Sequence, residues 1–233
     1  MPGASREAPV LWGARQAGVD PAWVGYICVD DVDASVARLL RLGGRVLHAP
    51  VEIPDTGRSA TVADPQGAVF NLFKPLRPQQ PLPSHHAGTL GWRELHTSDW
   101  PAATDFYGSL LGWVKAQAHD MGPMGRYQVY TTGQDGLGGM FNTPATRSAD
   151  WLYYFQVVDI DAAAERLVAG GGALLQPPHE VPRGGWVLQA RDPQGSKFAL
   201  LGRRLPLAGP RTRCPRTRGR PTAACARTRH KRR

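Results

Sequence analysis

Residues 23–74 read WVGYICVDDVDASVARLLRLGGRVLHAPVEIPDTGRSATVADPQGAVFNLFK, and residues 151–202 read WLYYFQVVDIDAAAERLVAGGGALLQPPHEVPRGGWVLQARDPQGSKFALLG. Shifted by 128 positions the two align without a gap. Trp23 falls on Trp151, Tyr26 on Tyr154, Asp31 and Asp33 on Asp159 and Asp161, and Gly43–Gly44 on Gly171–Gly172. Pro50, Glu52, Pro54 and Gly57 fall on Pro178, Glu180, Pro182 and Gly185, and Asp64–Gly67 (DPQG) repeats as Asp192–Gly195. A fixed-period match of this length marks a duplicated structural unit.

Each copy has the same physical reading. An aromatic, β-branched run opens it, as strands prefer. The aspartates that follow suit a helix N-terminus, where a carboxylate caps free N–H groups and meets the positive end of the dipole. Val32, Val36, Leu39 and Leu40, and again Ile160, Ala164, Leu167 and Val168, recur at the spacing of one helical face. The Gly-Gly pair ends the helix by supplying a positive φ. A short strand follows (45–48; 173–176), then a Pro-containing loop, then two strands joined across the DPQG turn (58–63 with 69–73; 186–191 with 197–201). The unit is βαβββ. Residues 90–142 form a related unit of different sequence type: strand 90–96, capping residues Thr97-Ser98-Asp99, helix 102–111 stopped by Gly112, and strands 113–116, 126–131 and 137–141.

The stretch GWRELHTSDWPAATDFYGSLLGW (91–113) resembles the opening module, and 29–73 the closing module, of the glyoxalase / bleomycin-resistance / extradiol-dioxygenase (vicinal oxygen chelate) superfamily, in its tandem-domain actinobacterial type. The resemblance covers about 22–202. It implies an α+β fold of tandem βαβββ modules with cupped mixed sheets, two modules enclosing one pocket. On that basis 22–74 is a closing module of a half-complete first domain, preceded by a loop at 1–21. Residues 75–87 (Pro-rich around PLRPQQPLP) are the linker, and 88–202 is a complete domain with modules 88–145 and 150–202.

The net charge of +9 is local. Residues 203–233 contain eleven Arg, one Lys and no acidic residue, which leaves −3 for residues 1–202. The tail has no apolar periodicity and reads as disordered and solvated, with no aromatic residue interleaved for base stacking. Specific nucleic-acid binding is therefore not expected. Of three cysteines, Cys28 reads as a buried apolar residue, and Cys214 and Cys225 match no zinc spacing. No run approaches the ~18 apolar residues of a membrane span, so the expected location is the cytoplasm, without membrane partners.

Metal enzymes of the resembled superfamily place His and Glu on pocket-facing strands. Carried over by distance from the cap and turn aspartates, those positions fall on Trp92, Tyr154 and Ala199, with a fourth near 138–140, and on Tyr26 and Asn71 in the first copy. No cofactor is expected from these residues, although the family would suggest a divalent metal. The pocket reads as aromatic instead, with Trp92, Tyr130, Tyr154 and Trp186 as ligand-binding candidates. Strand alternation puts Glu94 and His96 on the face of Trp92, a carboxylate–imidazole pair suited to acid–base work. His48, His85, His86 and His179 read as solvated or at strand ends. Phosphate-cradling glycine loops, a nucleophile elbow and a Cys–His arrangement do not occur.

Three functions are open at this level. The leading one is small-molecule binding, or a metal-independent enzyme, with an aromatic pocket. The second is a divalent-metal lyase or dioxygenase centred on Glu94 and His96. The third is a non-catalytic partner subunit. The isolated 22–74 unit would expose a sheet edge and an apolar face, so it is expected to pair with a second copy or pack on 88–202.

Overall fold

The computed structural model describes residues 11–12, 21–77, 86–133, 136–144, 146–182 and 185–206. A two-residue strand, β1 (Leu11–Trp12), comes first. Three times thereafter, among the described residues, a strand enters a helix and three strands follow. These are β2 (Val24–Cys28), α1 (Val32–Arg41), β3 (Arg45–Ile53), β4 (Gly57–Ala63) and β5 (Val69–Pro75); then β6 (Leu90–Thr97), α2 (Trp100–Leu111), β7 (Val114–Asp120), β8 (Arg126–Thr131) and β9 (Gly136–Asn142); then β10 (Asp150–Asp159), α3 (Ile160–Ala169), β11 (Ala173–Val181), β12 (Gly185–Arg191) and β13 (Lys197–Arg203). The caps are those expected. Asp31 accepts from Ala34 N at 2.9 Å, Asp99 from Ala102 N at 3.0 Å and Asp159 from Asp161 N at 3.1 Å. Gly43, Gly112 and Gly171 end the helices at φ of 85°, 76° and 84°.

The strands form two mixed sheets. One has the order β1-β2-β5-β4-β3, and the other β11-β12-β13-β10-β6-β9-β8-β7. The eight-stranded sheet is closed at its centre by antiparallel pairing of β6 with β10, so the second and third units share one surface. Parallel pairs β10–β13 and β6–β9 flank that seam.

Four sequence expectations are corrected. Leu11–Trp12 is not loop but pairs antiparallel with Val24 and Gly25. The third strand of each repeat is nine residues long, and the expected proline loop is part of it. Pro50, Pro177 and Pro178 are tolerated because β3 and β11 are edge strands with register shifts at these points. Leu40 and Val168 are 53% and 55% exposed, so the buried helix stripes are narrower than the spacing suggests. Finally, β13 runs to Arg203 and Arg204 ion-pairs with Asp161 at 2.7 Å, which places the start of the basic segment in the fold; the rest of the expected disordered tail, 207–233, lies outside the described residues.

The 22–74 unit packs on the helix side of the larger sheet. Tyr107 of α2 is the hub: fully buried, stacked on Trp113 at 5.0 Å, 5.6 Å from Phe70 and 5.5 Å from Trp151. Its hydroxyl donates to Asp64 Oδ2 at 3.0 Å, reaching the DPQG turn of the first repeat. Nearby, Gly25 N donates to Tyr153 Oη at 2.8 Å, and a Cβ on Gly25 would lie 2.5 Å from that oxygen. Gly25 and Tyr153 are the same position in the two repeats, so the copies meet where one lacks the side chain that the other carries. Of the two expected fates of 22–74, the structure shows packing against 88–202. Among the described residues no helix is long and apolar enough to cross a membrane.

Candidate functional site

Pairing of β6 with β10 sets Trp92 opposite Tyr154, Glu94 opposite Leu152 and His96 opposite Asp150. Directly opposed residues share a sheet face, so these six side chains project together, away from α2 and α3. Leu152, Tyr154, Val187 and Ala199 are buried against one another on that face, packed by Trp92, Val181 and Leu201. Among the described residues no helix packs on this face, and side chains buried there against one another are what a concave, cup-like sheet face gives.

Glu94 is 8% exposed and is the centre of the polar contacts. Its Oε1 lies 2.9 Å from His96 Nε2 and accepts from Tyr154 Oη at 3.2 Å, while Oε2 accepts from Tyr127 Oη at 3.0 Å. Trp92 Nε1 in turn donates to Tyr127 Oη at 2.8 Å. Tyr127, paired with Phe141, reaches this point by lying diagonally over Gly139: a Cβ there would run into the tyrosine ring. On its far side, His96 Nδ1 is 2.9 Å from Asp150 Oδ1. The imidazole, 2% exposed, thus lies between two carboxylates.

Burial alone would lower the His96 pKa, but hydrogen bonds and charge from Asp150 and Glu94 outweigh it and raise the value above that of free histidine. Asp150 moves the other way. Burial pushes its carboxyl up, and the His96 hydrogen bond with the charges of His96, Arg147 and Lys197 brings it below the usual carboxylate value. Desolvation, reinforced by the Glu94 charge, raises the phenols of Tyr127 and Tyr154, so both remain proton donors. Arg147 Nη2 lies 2.9 Å from Asp150 Oδ1 but also 2.8 Å from His96 Nδ1. With Nδ1 protonated toward Asp150, that last contact sets two donors against each other. Arg147 is 42% exposed, so its mobile guanidinium yields and the His96–Asp150 bond is kept.

The structure therefore brings together Trp92, Glu94, His96 and Tyr154. It does not bring in Tyr130 or Trp186. Register with β9 puts Tyr130 opposite Gly138 and on the helix side, where it is fully buried and stacked on Trp113 at 4.5 Å. Trp186 packs with the α3 cluster, and the Arg204 guanidinium lies 3.7 Å over its ring. Both are corrected from pocket to core positions: alternation within a strand does not say which face is the cup. His48, His86 and His179 are exposed, and His85 lies outside the described residues. Sequence reasoning missed Tyr127, Asp150, Arg147 and Gln189, which hydrogen-bonds Tyr154. One signal was available, the Gly138-Gly139 pair inside a strand, since a strand glycine marks a close approach by a neighbour.

The chain matches the family model "Glyoxalase/Bleomycin resistance protein/Dioxygenase superfamily" over residues 85–200. It is 34% identical over 195 residues to "Putative glyoxylase CFP32" of Mycobacterium tuberculosis, covering 83% of this chain and 74% of that one. It is 32% identical over 192 residues to "Anthracycline biosynthesis protein DnrV" of Streptomyces peucetius, covering 81% and 68%. Among solved structures, the Mn(II)-bound glyoxalase from Novosphingobium aromaticivorans superposes with a TM-score of 0.59 at 16% identity, over 81% of this chain and 65% of that one. The 2,3-dioxygenase LapB from Pseudomonas sp. KL28 gives 0.59 at 13% identity, over 81% and 74%.

These neighbours overturn the expectation of no cofactor, because a solved protein of this fold holds Mn(II). Trp92 offers no donor to an ion, but Glu94 and His96 stand two and four residues further along the same strand, on the same face. Imidazole and carboxylate are ligand types for such an ion. Their lone pairs are engaged with one another and with tyrosines, and among the described residues no group of three His, Cys, Asp or Glu side chains is arranged to hold a metal ion. The donor set falls short of a metal centre, and no chemical step is derived through one. Fold, family-model match and relatives agree: the chain belongs to the glyoxalase/bleomycin resistance protein/dioxygenase superfamily.

Proposed function

We propose that the cup binds a planar small molecule and that Glu94, backed by His96 and Asp150, exchanges a proton or hydrogen bond with it. The observation that carries this reading is the buried Glu94 carboxylate receiving His96, Tyr127 and Tyr154 at 2.9–3.2 Å. A saturated buried network of this kind fixes side chains to a single geometry, which is what a binding site requires. The partly exposed rings of Trp92, Tyr127 and Phe141 supply the apolar wall. A bound hydroxyl that displaces one tyrosine from Glu94 would meet an acceptor whose other partners stay in place. His96, held by Asp150 on its other nitrogen and with its pKa raised, would answer a change of charge at Glu94 by shifting the shared proton.

Calorimetric titration of the full chain with 1-naphthamide, a neutral planar probe, tests the reading. Binding should weaken at least tenfold in Trp92→Leu and be unchanged in Trp186→Phe, whose ring is on the other face. No binding to the unaltered protein, or equal loss in both variants, overturns it. Titration with Mn(II), followed by electron paramagnetic resonance in the native chain and in a Glu94→Gln/His96→Ala double variant, decides whether the same pair also serves a cation.

A further inference from the structure

The cup has a second chemical feature at its β10/β13 entrance. Alternation along β13 puts Lys197 on the face of Ala199, and Ala199 sits beside Tyr154 in the sheet. Arg191 is directly opposite Lys197 on β12 and shares its face. Arg147 reaches the same corner from the loop before β10, where it contacts Asp150 and His96. Arg147 and Lys197 thus both bear on one carboxylate, Asp150, which is already engaged by His96 and Arg147, while Arg191 stands beside Lys197 with its guanidinium on Gly195 O at 2.7 Å. This concentration lies within residues 1–202, which carry a formal excess of negative charge. It is therefore a local feature of the cup rather than a reflection of the basic tail.

Lys197 is the telling member. It is half-buried, yet among the described residues its ammonium makes no hydrogen bond or ion pair. Desolvation, with repulsion from Arg147 and Arg191, lowers its pKa despite attraction from Asp150 and Glu94. Partial burial of an ammonium without a partner is unfavourable and is relieved by an incoming anion. Arg147 can add the planar fork that suits a carboxylate.

We propose that Lys197, with Arg147 and Arg191 beside it, docks the carboxylate of an aromatic carboxylate ligand whose ring lies on Trp92, Tyr127 and Phe141. The spacing suits such a molecule. Trp92, the nearest ring of the wall, lies two strands across the sheet from β13 and two residues along from Lys197, about 12 Å between backbones. The lysine side chain spans about half of that, which leaves the length of a one- or two-ring body ending in a carboxylate. The inference rests on the cup being the binding site and adds the charge class of what it takes.

The test is a matched pair of probes, 1-naphthoate and 1-naphthamide, titrated by calorimetry into the full chain at low and at 0.5 M salt. The expected result is at least tenfold tighter binding of the anion at low salt, a margin reduced at high salt by screening. In Lys197→Gln the margin should fall to within about threefold while the amide affinity stays unchanged, and Arg147→Gln should reduce it in part. Equal binding of both probes to the unaltered protein leaves the cup in place and overturns the charge assignment, as does a margin that survives in Lys197→Gln. Failure of both probes to bind overturns the cup reading and this inference with it. Arg126→Gln, at a surface position on β8, controls for nonspecific loss of positive charge and should leave the margin intact.

Discussion

Replacing Glu94 by glutamine keeps the shape of the side chain and removes its charge, so it isolates the network's contribution. The carboxylate receives three hydrogen bonds, from His96, Tyr127 and Tyr154. An amide can keep its oxygen for His96 and Tyr154. Its NH2 then points at the Tyr127 hydroxyl, which already accepts from Trp92 Nε1. The Tyr127 proton is left buried without an acceptor, at a cost of about 1–3 kcal/mol, and the two surviving bonds lose charge assistance worth about 0.5–1 kcal/mol each. The expected loss is about 2–5 kcal/mol of stability. At a urea slope of about 2 kcal/mol/M that lowers the unfolding midpoint by about 1–2.5 M. A second readout separates this from a general packing defect. His96 loses one of its two carboxylate partners, so its pKa, followed by NMR of the ring nitrogens, should drop from its raised value. A midpoint within 0.3 M of the unaltered protein, together with an unchanged His96 titration, would refute the network as described.

Two further outcomes follow from the same contacts. Tyr107→Phe should cost about 1.5–3 kcal/mol, because Asp64 is buried and loses a hydroxyl donor to its charged side chain. Asp192 occupies the equivalent turn but is only partly buried and bonds only its own loop, at Gln194 N and Ser196 N. Asp192→Asn should therefore cost well under half as much by urea titration, and equal costs would mean that the Asp64–Tyr107 bond adds nothing between the units. The His96–Asp150 pair should also give stability a two-sided pH dependence. The Asp150 carboxyl is lowered in the fold, so its contribution is present above pH ~4 and lost as pH falls through the folded value. The His96 imidazole is raised, so its contribution is present below pH ~6.5 and lost as pH rises through the folded value. Melting temperatures of native protein minus His96→Gln should peak in mildly acid solution, and a difference that is flat from pH 3 to 9 would contradict both shifts.

The fold was legible because its evidence is periodic: a 128-residue repeat, helix stripes, caps and DPQG turns are all local signals read from one chain segment at a time. The site was legible only as far as a single strand reaches. Trp92, Glu94 and His96 alternate along β6, so period two was enough to group them. Asp150 joins them only through antiparallel pairing with β6 across 54 residues of sequence, a register that no local pattern states. Tyr127 joins through the absent side chain of Gly139, which is a signal but names no partner.

The Trp186 error is more instructive, since the repeat itself carried the correction. Shifted by 128, Trp186 falls on Arg58, and Asp161 on Asp33. In the first copy Arg58 ion-pairs with Asp33 at 2.7 Å beside the N-terminus of α1, so this repeat position belongs to the helix side and not to the cup. In the second copy the arginine has become tryptophan, and the aspartate has kept its guanidinium by another route. Arg204, just beyond β13, pairs with Asp161 at 2.7 Å while lying 3.7 Å over the Trp186 ring. The charge at the helix start and the cation that answers it are retained, with the indole serving as the platform on which the replacement arginine stacks. A tryptophan aligned with a charged residue that pairs beside the helix start is thereby marked as a helix-side position, whereas a ring aligned with tyrosine on the opposite strand face is marked as pocket. Tyr26 and Tyr154 are such a matched pair, and Tyr154 is in the cup.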